Sequence, residues 1–210
     1  MSKPLSLFAS AIVEWQQTSR PGVAVGSQAP LSSVWSTAGP PTVLCFLRRL
    51  GCKLCRVMAQ DMEKLQREHP DKLRLACFSF ERLGEGSDAD GSFTKGAYFS
   101  GDLLQVGQQE VYAPLFGRKG LVSGFGLASL ITDKSGKIAE AKARGIPGNF
   151  TGDGMQLGGL IVVDSSGKVL LDHRQKFFGD DPSPQDILDA IAEAGAPASG
   201  SAAGGGGGGQ

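Results

Sequence analysis

The sequence predicts an α/β fold, a central mixed sheet with flanking helices, and three observations carry that prediction. The runs "TVLCFL" (Thr42 to Leu47) and "KLRLACFSF" (Lys72 to Phe80) are continuous, apolar and β-rich, as strands covered on both faces in a parallel sheet must be. Between them Leu54, Met58, Met62 and Leu65 recur at helical spacing, while Arg56, Gln60, Glu63, Lys64 and Arg67 fill the opposite face. Two cysteines, Cys52 and Cys55, fall where the first strand gives way to that helix. Together with the hairpin in "GLIVVDSSGKVLLDHRQ" and the closing helix in "SPQDILDAIAEAG", this parallel βαβ unit describes a thioredoxin-like layout with a CxxC at the first βα junction, not a doubly wound nucleotide fold.

The remaining elements follow in order. Residues 1–30 hold one short amphipathic stretch, Leu5 to Trp15, and then "TSRPGVAVGSQAP", whose proline and glycine mark turns around a short strand. This segment is expected to pack on a domain spanning residues 31–194. On the first helix, Glu63 and Arg67 are spaced to pair at i,i+4. "GDLLQV" beside Asp102 reads as another strand, and "QQEVYAPLF" (Gln108 to Phe116) as a helix stopped near Gly117, with Pro114 as its weak point. "KIAEAKARG" (Lys137 to Gly145) is rich in helix formers and again ends at glycine. After the turn-rich "IPGNFTGDGMQLGG", the run "GLIVVDSSGKVLLDHRQ" reads as an antiparallel hairpin around "DSSGK". "SPQDILDAIAEAG" closes the domain as a helix with Ser183 as N-cap and Pro184 in its first turn. From Gly195 the glycine, alanine and serine of residues 195–210 predict a flexible tail, because they offer no apolar surface to offset the entropy of ordering.

Composition excludes several function classes. The 210 residues carry 21 basic and 21 acidic side chains, so no net field recommends nucleic acid or an anionic membrane as the main partner. Four cysteines, Cys45, Cys52, Cys55 and Cys77, are too few and too scattered for a disulfide framework, which points to a reducing compartment. The N-terminal "MSKPLSLFASAIVEWQQ" has a thin basic region, and Glu14 and Trp15 follow its apolar stretch at once, unlike a signal peptide. No run reaches the roughly 18 apolar residues of a membrane helix. The expectation is a soluble, cytosolic protein with no transmembrane segment. "GDGMQLGG" lacks the GxGxxG spacing and precedes a strand, so it is not read as a dinucleotide site, and there is no GxxxxGK[ST] loop.

The pair in "FLRRLGCKLCR" carries the chemistry. A thiolate at the start of a helix, where Cys52 sits, receives the unpaired N–H groups and the positive dipole end, and Cys55 lies one turn behind, placed to attack a mixed intermediate. Arg48, Arg49 and Arg56 bring positive charge close in sequence. A zinc site would need four ligands, and the chain has no second CxxC, so no metal is expected. Cys45 and Cys77 fall inside apolar strands and read as packed core residues. His173, in the second hairpin strand, reads as a hydrogen-bonded structural residue. His69 ends the first helix, where a cation suits the dipole, and Asp153 reads as a turn former.

On the blocks "FLRRLGCKLCR" with "AQDM", "AKARGIPGNFTGDGMQLGGLIVVD" and "KVLLDHRQKFFGDDPSPQDIL", in that order from about Val43 to Ile191, the chain resembles the peroxiredoxin-like 2 proteins of the thioredoxin-like superfamily. The resemblance implies an oxidoreductase that reduces a prostaglandin-type endoperoxide, as free acid or ethanolamide, to the F-type diol. It also implies Cys52 and Cys55 as the redox pair and NADPH as electron source, directly or through thioredoxin or another reductase. Arg48 or Arg49 is placed to stabilise a departing alkoxide. Two alternatives stand beside this reading: a non-catalytic thiol-sensing or binding module, and a general thioredoxin-like disulfide reductase.

Two departures from relatives in the superfamily shape the expectation. Ordinary peroxiredoxins carry Pro-x-x-x-Thr-x-x-Cys, but Arg49 stands at the threonine position and Cys45 at the proline position, which removes the usual peroxide-activating hydroxyl. Thioredoxins place a proline before the hairpin where this chain has "QLGG", and Gly158 is expected to leave room for a bulkier substrate near the sulfurs.

Overall fold

The computed structural model describes residues 12–16, 28–30, 39–101, 103–118, 133 and 135–195. Most of the N-terminal segment and the tail from Ala196 lie outside the described residues. Among the described residues, seven strands form one mixed sheet: β1 (Ile12–Gln16), β2 (Gln28–Pro30), β3 (Thr42–Leu47), β4 (Arg74–Ser79), β5 (Leu103–Val106), β6 (Gly159–Val163) and β7 (Val169–Arg174), in the order β2-β1-β5-β4-β3-β6-β7. β3, β4 and β5 run parallel, and the other neighbouring pairs are antiparallel.

The interior strand β3 is buried at every position, which is why its sequence is an unbroken apolar run. α1 (Lys53–Glu68) is the crossover between β3 and β4 and buries Leu54, Cys55, Val57, Met58, Met62 and Leu65. Each such aliphatic side chain contributes about 1.5–3 kcal/mol over its exposed state. α4 (Lys137–Ala143) and α5 (Pro184–Gly195) pack beside α1. The Asp61 carboxylate on α1 ties it to α4, accepting from Lys137 Nζ at 3.1 Å and Arg144 Nη1 at 2.7 Å. Elsewhere Phe46 stacks on Phe78 at 4.7 Å and meets Phe116 at 5.0 Å, with Tyr112 edge-on. These last two residues come from a π-helical turn (Gln108–Tyr112) that runs into α3 (Ala113–Phe116). The Tyr112 hydroxyl is buried within hydrogen-bond reach of the Leu47 and Phe78 carbonyls, at 2.8 and 2.9 Å, and so ties the ends of β3 and β4 together. A short helix, α2 (Ser92–Lys95), lies on the loop after β4.

Local expectations are met where local chemistry decides. Asp164 Oδ1 accepts the Ser166 and Lys168 amides and closes the β6–β7 hairpin. Ser183 Oγ accepts the Asp186 amide at 3.2 Å while Asp186 accepts the Ser183 amide at 2.8 Å, a reciprocal cap on α5. The chain leaves α3 at Gly117 with φ +66° and α4 at Gly145 with φ +65°, the left-handed conformation that glycine tolerates best. Two expectations are corrected. Glu63 takes the amide of Ser100 at 3.1 Å, so its carboxylate is engaged across the loop after α2, where local spacing had assigned it to Arg67. Gly158 opens no space for substrate. A Cβ there would lie 2.3 Å from the Phe46 carbonyl oxygen, so the missing side chain is replaced by the backbone of β3.

Candidate active site

β3 delivers the chain to a four-residue turn, Arg48 to Gly51, and Cys52 then caps α1 with extended backbone (φ −82°, ψ 120°). The turn is held from both sides. The Leu50 amide donates to Glu81 at 2.8 Å, the Gly51 amide to Ser87 Oγ at 2.7 Å, and the Gly51 carbonyl accepts the Asn149 amide at 2.8 Å. Gly51 is required by this close approach: a Cβ would sit 2.4 Å from Asn149 Oδ1 and 2.5 Å from the Ser87 carbonyl.

The sulfur of Cys52 receives a hydrogen bond from Arg48 Nη2 at 2.8 Å. Arg48 is itself held, its guanidinium 4.3 Å above the Phe178 ring and buried to 3 % exposure. The hydrogen bond from the Cys55 thiol, followed by the positive charge of Arg48, holds the Cys52 thiol well below its ordinary value, although burial opposes both. Cys55 moves the other way: donating to Cys52, then burial, pushes it well above the usual thiol range. The two thiols thus move in opposite directions, Cys52 down at the helix start and Cys55 up one turn behind.

The three arginines separate by function. Arg48 faces the sulfur. Arg49 turns its guanidinium to the backbone of residues 147–154, donating to the Asn149 carbonyl at 2.9 Å and to the Thr151 carbonyl. Arg56, 1 % exposed, donates through Nε to the Leu50 carbonyl and through Nη1 to the Pro147 carbonyl, and lies 4.9 Å from the Tyr98 ring. It braces the turn. Asp153 accepts the Met155 amide at 3.0 Å and pairs with Arg118 at 2.8 Å, as a turn residue would. His173 bonds the Asp180 carbonyl at 2.8 Å, and His69 caps the C-terminus of α1. Cys45 and Cys77 face each other in register across β3 and β4, fully buried.

Cys52 forms part of the wall of a cavity of about 280 Å³, together with Arg48, Arg49, Leu54, Ile138 and Phe178. Phe150 stands at its edge, 87 % exposed, while the sulfur-bearing residue is only 4 % exposed. The Nε atoms of Arg48 and Arg49 are buried without a hydrogen-bond partner. The sequence reading did not single out Phe150, Phe178, Glu81, Ser87 or Asn149. Only Phe150 carried a usable sign, an aromatic ring inside the polar, glycine-rich turn "GNFTGDG". Among the described residues, no group of three or more His, Cys, Asp or Glu side chains could hold a metal, and no helix is long and apolar enough to cross a membrane.

The profile of the AhpC/TSA antioxidant enzyme family matches residues 50–176, from the cysteine turn to the hairpin. The chain belongs to that family. It is 34 % identical over 171 residues to the prostamide/prostaglandin F synthase of Salmo salar, with 80 % of each chain covered. It is 35 % identical over 174 residues to the enzyme of the same name from Sus scrofa, covering 79 % of this chain and 80 % of that one. Among solved structures, the peroxidoxin BcpB of Mycobacterium tuberculosis shares the fold at TM-score 0.54 and 18 % identity, covering 94 % of this chain and 99 % of that one. The bacterioferritin comigratory protein of Xanthomonas campestris does so at TM-score 0.54 and 12 % identity, with 92 % and 98 % covered. The thioredoxin-like fold and the thiol-dependent oxidoreductase class follow from these matches.

Proposed function

We propose that this family member reduces a prostaglandin-type endoperoxide, prostaglandin H2 or its ethanolamide, to the F2α diol in the cytosol, with Cys52 as nucleophile and Cys55 as resolving thiol. The observation that carries the proposal is the Arg48 guanidinium 2.8 Å from the Cys52 sulfur, at a cavity lined by the two arginines on one hand and by Leu54, Ile138 and Phe178 on the other. The name shared by the curated relatives supports the substrate class.

In the first step the Cys52 thiolate attacks one endoperoxide oxygen. An S–O bond forms, the O–O bond breaks, and the second oxygen leaves as an alkoxide that takes a proton from water. Arg48 stabilises the negative charge as it moves from sulfur to oxygen. The Cys55 sulfur then attacks Cys52, the S–O bond breaks, and the released alkoxide takes the Cys55 proton. Two thiol sulfurs have given up two electrons, and the products are the diol and a Cys52–Cys55 disulfide.

NADPH enters this proposal as the ultimate electron donor only. The amides of the βα turn that would cradle a dinucleotide phosphate are already committed, Leu50 to Glu81 and Gly51 to Ser87. With those two amides taken and no GxGxxG spacing in the sequence, the proposal has a thioredoxin or another dithiol reductase return the electrons by thiol exchange. A general protein-disulfide reductase would present its sulfur to macromolecules, whereas Cys52 is 4 % exposed within a cavity.

The proposal is tested with purified protein, endoperoxide and NADPH, with and without thioredoxin and its reductase. Turnover is expected only with the relay. Cys52→Ser is expected to lose at least about 1,000-fold in activity while retaining its circular dichroism. Cys55→Ser is expected to be oxidised once and then stall. Full turnover by Cys52→Ser would overturn the assignment of the nucleophile, and turnover with NADPH alone would overturn the relay.

A further inference from the structure

The edge of the Cys52 cavity has a feature that sulfur chemistry does not use. Phe150 is 87 % exposed in a chain whose other large apolar side chains, among the described residues, are at least partly covered. It does not sit on a loose tip. The carbonyls on both sides of it, Asn149 and Thr151, accept from the one guanidinium of Arg49. The Asn149 amide donates to the Gly51 carbonyl at 2.8 Å, its Nδ2 donates to the Ser87 carbonyl at 2.8 Å, and its Oδ1 accepts the Thr151 amide at 3.1 Å. The backbone that carries the ring is thereby tied to the turn that carries Cys52.

The cavity is also divided by chemistry. Its polar part is Cys52, Arg48 and Arg49, with the Arg48 Nη2 donating to the sulfur at 2.8 Å. Its apolar part is Leu54, Ile138 and Phe178, with Phe150 at the edge. A ligand that satisfies both parts carries adjacent oxygens at one end and an apolar arm at the other. Hydrogen peroxide satisfies the polar part alone.

We infer that Phe150 is a specificity-determining residue, an apolar subsite that holds the arm of an organic peroxide while its O–O bond lies against Cys52. The inference rests on Cys52 as the nucleophile. For a hydroperoxide, the Cys52 thiolate takes the terminal oxygen as a sulfenic acid, the O–O bond breaks, and the alkoxide leaves as the alcohol after protonation by water. The Cys55 thiol then condenses with the sulfenic acid to the disulfide and releases water.

The test measures second-order oxidation of pre-reduced protein by cumene hydroperoxide and, separately, by hydrogen peroxide, for the parent chain, Phe150→Ala and Phe150→Leu. Phe150→Ala is expected to slow cumene hydroperoxide about 10-fold and to hold hydrogen peroxide within about twofold. Phe150→Leu is expected to restore most of the loss. Equal slowing of both oxidants would mean that Phe150 only shapes the site, and an unchanged cumene rate would mean that the ring contacts no substrate. Either result overturns the inference. A parent protein whose Cys52 neither peroxide oxidises would instead overturn the reading on which it rests.

Discussion

The chain holds two cysteine pairs, and only one of them has a cation and a cavity beside it. Cys45 and Cys77 face each other across β3 and β4, while Cys52 and Cys55 lie one helical turn apart at the start of α1. All four are buried free thiols, at 0, 0, 4 and 2 % exposure. In the strand pair, the hydrogen bond with Cys77 and then burial push the Cys45 thiol well above its ordinary value. In the helix pair, Cys52 falls well below it. Burial and a neighbouring thiol are common to both pairs. What differs is the Arg48 guanidinium at 2.8 Å, the helix start beneath the sulfur, and a cavity in front of it. Two nearby thiols do not make a redox site without a cation and a way in.

The comparison breaks most readily at Arg48. Arg48→Met keeps much of the stem that packs near Phe178 and removes the charge, so the Cys52 thiol should rise toward its ordinary range. With the Cys52 thiolate as the proposed nucleophile, loss of charge support moves the acidic limb of the pH–rate profile to higher pH. Endoperoxide reduction at pH 7 should fall by about 10- to 100-fold and recover in part at pH 9. A profile that does not move would place the activating charge elsewhere.

A smaller effect is expected at Gly51, which sharpens the part that the turn plays. Gly51→Ala forces a Cβ against Asn149 and the Ser87 carbonyl, so it should cost about 1–3 kcal/mol in urea denaturation. It should also loosen the segment that carries Phe150. The smallest effect belongs to the strand pair. Cys77→Ala should cost about 1 kcal/mol in stability and leave the reduction rate unchanged, because Cys77 is packing only. A loss of activity in a folded Cys77→Ala protein would erase the distinction between the two pairs.

The sequence exposed whatever is local in space as well as in chain position. Continuous apolar runs marked β3 and β4, helical spacing marked α1, "DSSGK" marked the hairpin, and Ser183 marked a cap that the Asp186 amide fills. The position of Cys52 at the helix start was legible for the same reason. The separate roles of the arginines were not. Arg49 meets Asn149 and Thr151 about a hundred residues away, and Arg56 meets Pro147 across a similar interval, so neither partnership leaves a periodic mark. Glu63 went to Ser100 because a backbone amide was on offer across the fold, whereas spacing along the helix pointed only to Arg67. Gly158 misled for a related reason: an absent side chain reads as free space until the neighbouring strand is in place.

The most direct test of the account follows all four thiols at once. Reduced protein is alkylated with iodoacetamide from pH 5 to pH 9, and each cysteine is quantified by mass spectrometry. Cys52 should react first, and its rate should already be near its plateau at pH 7, well below the ordinary thiol value of about 8.5. Cys45, Cys55 and Cys77 should stay unmodified until the protein is unfolded. A Cys52 rate that keeps climbing through pH 8.5, or modification of Cys45 alongside it, would contradict the claim that Arg48 and the helix start make Cys52 the thiolate.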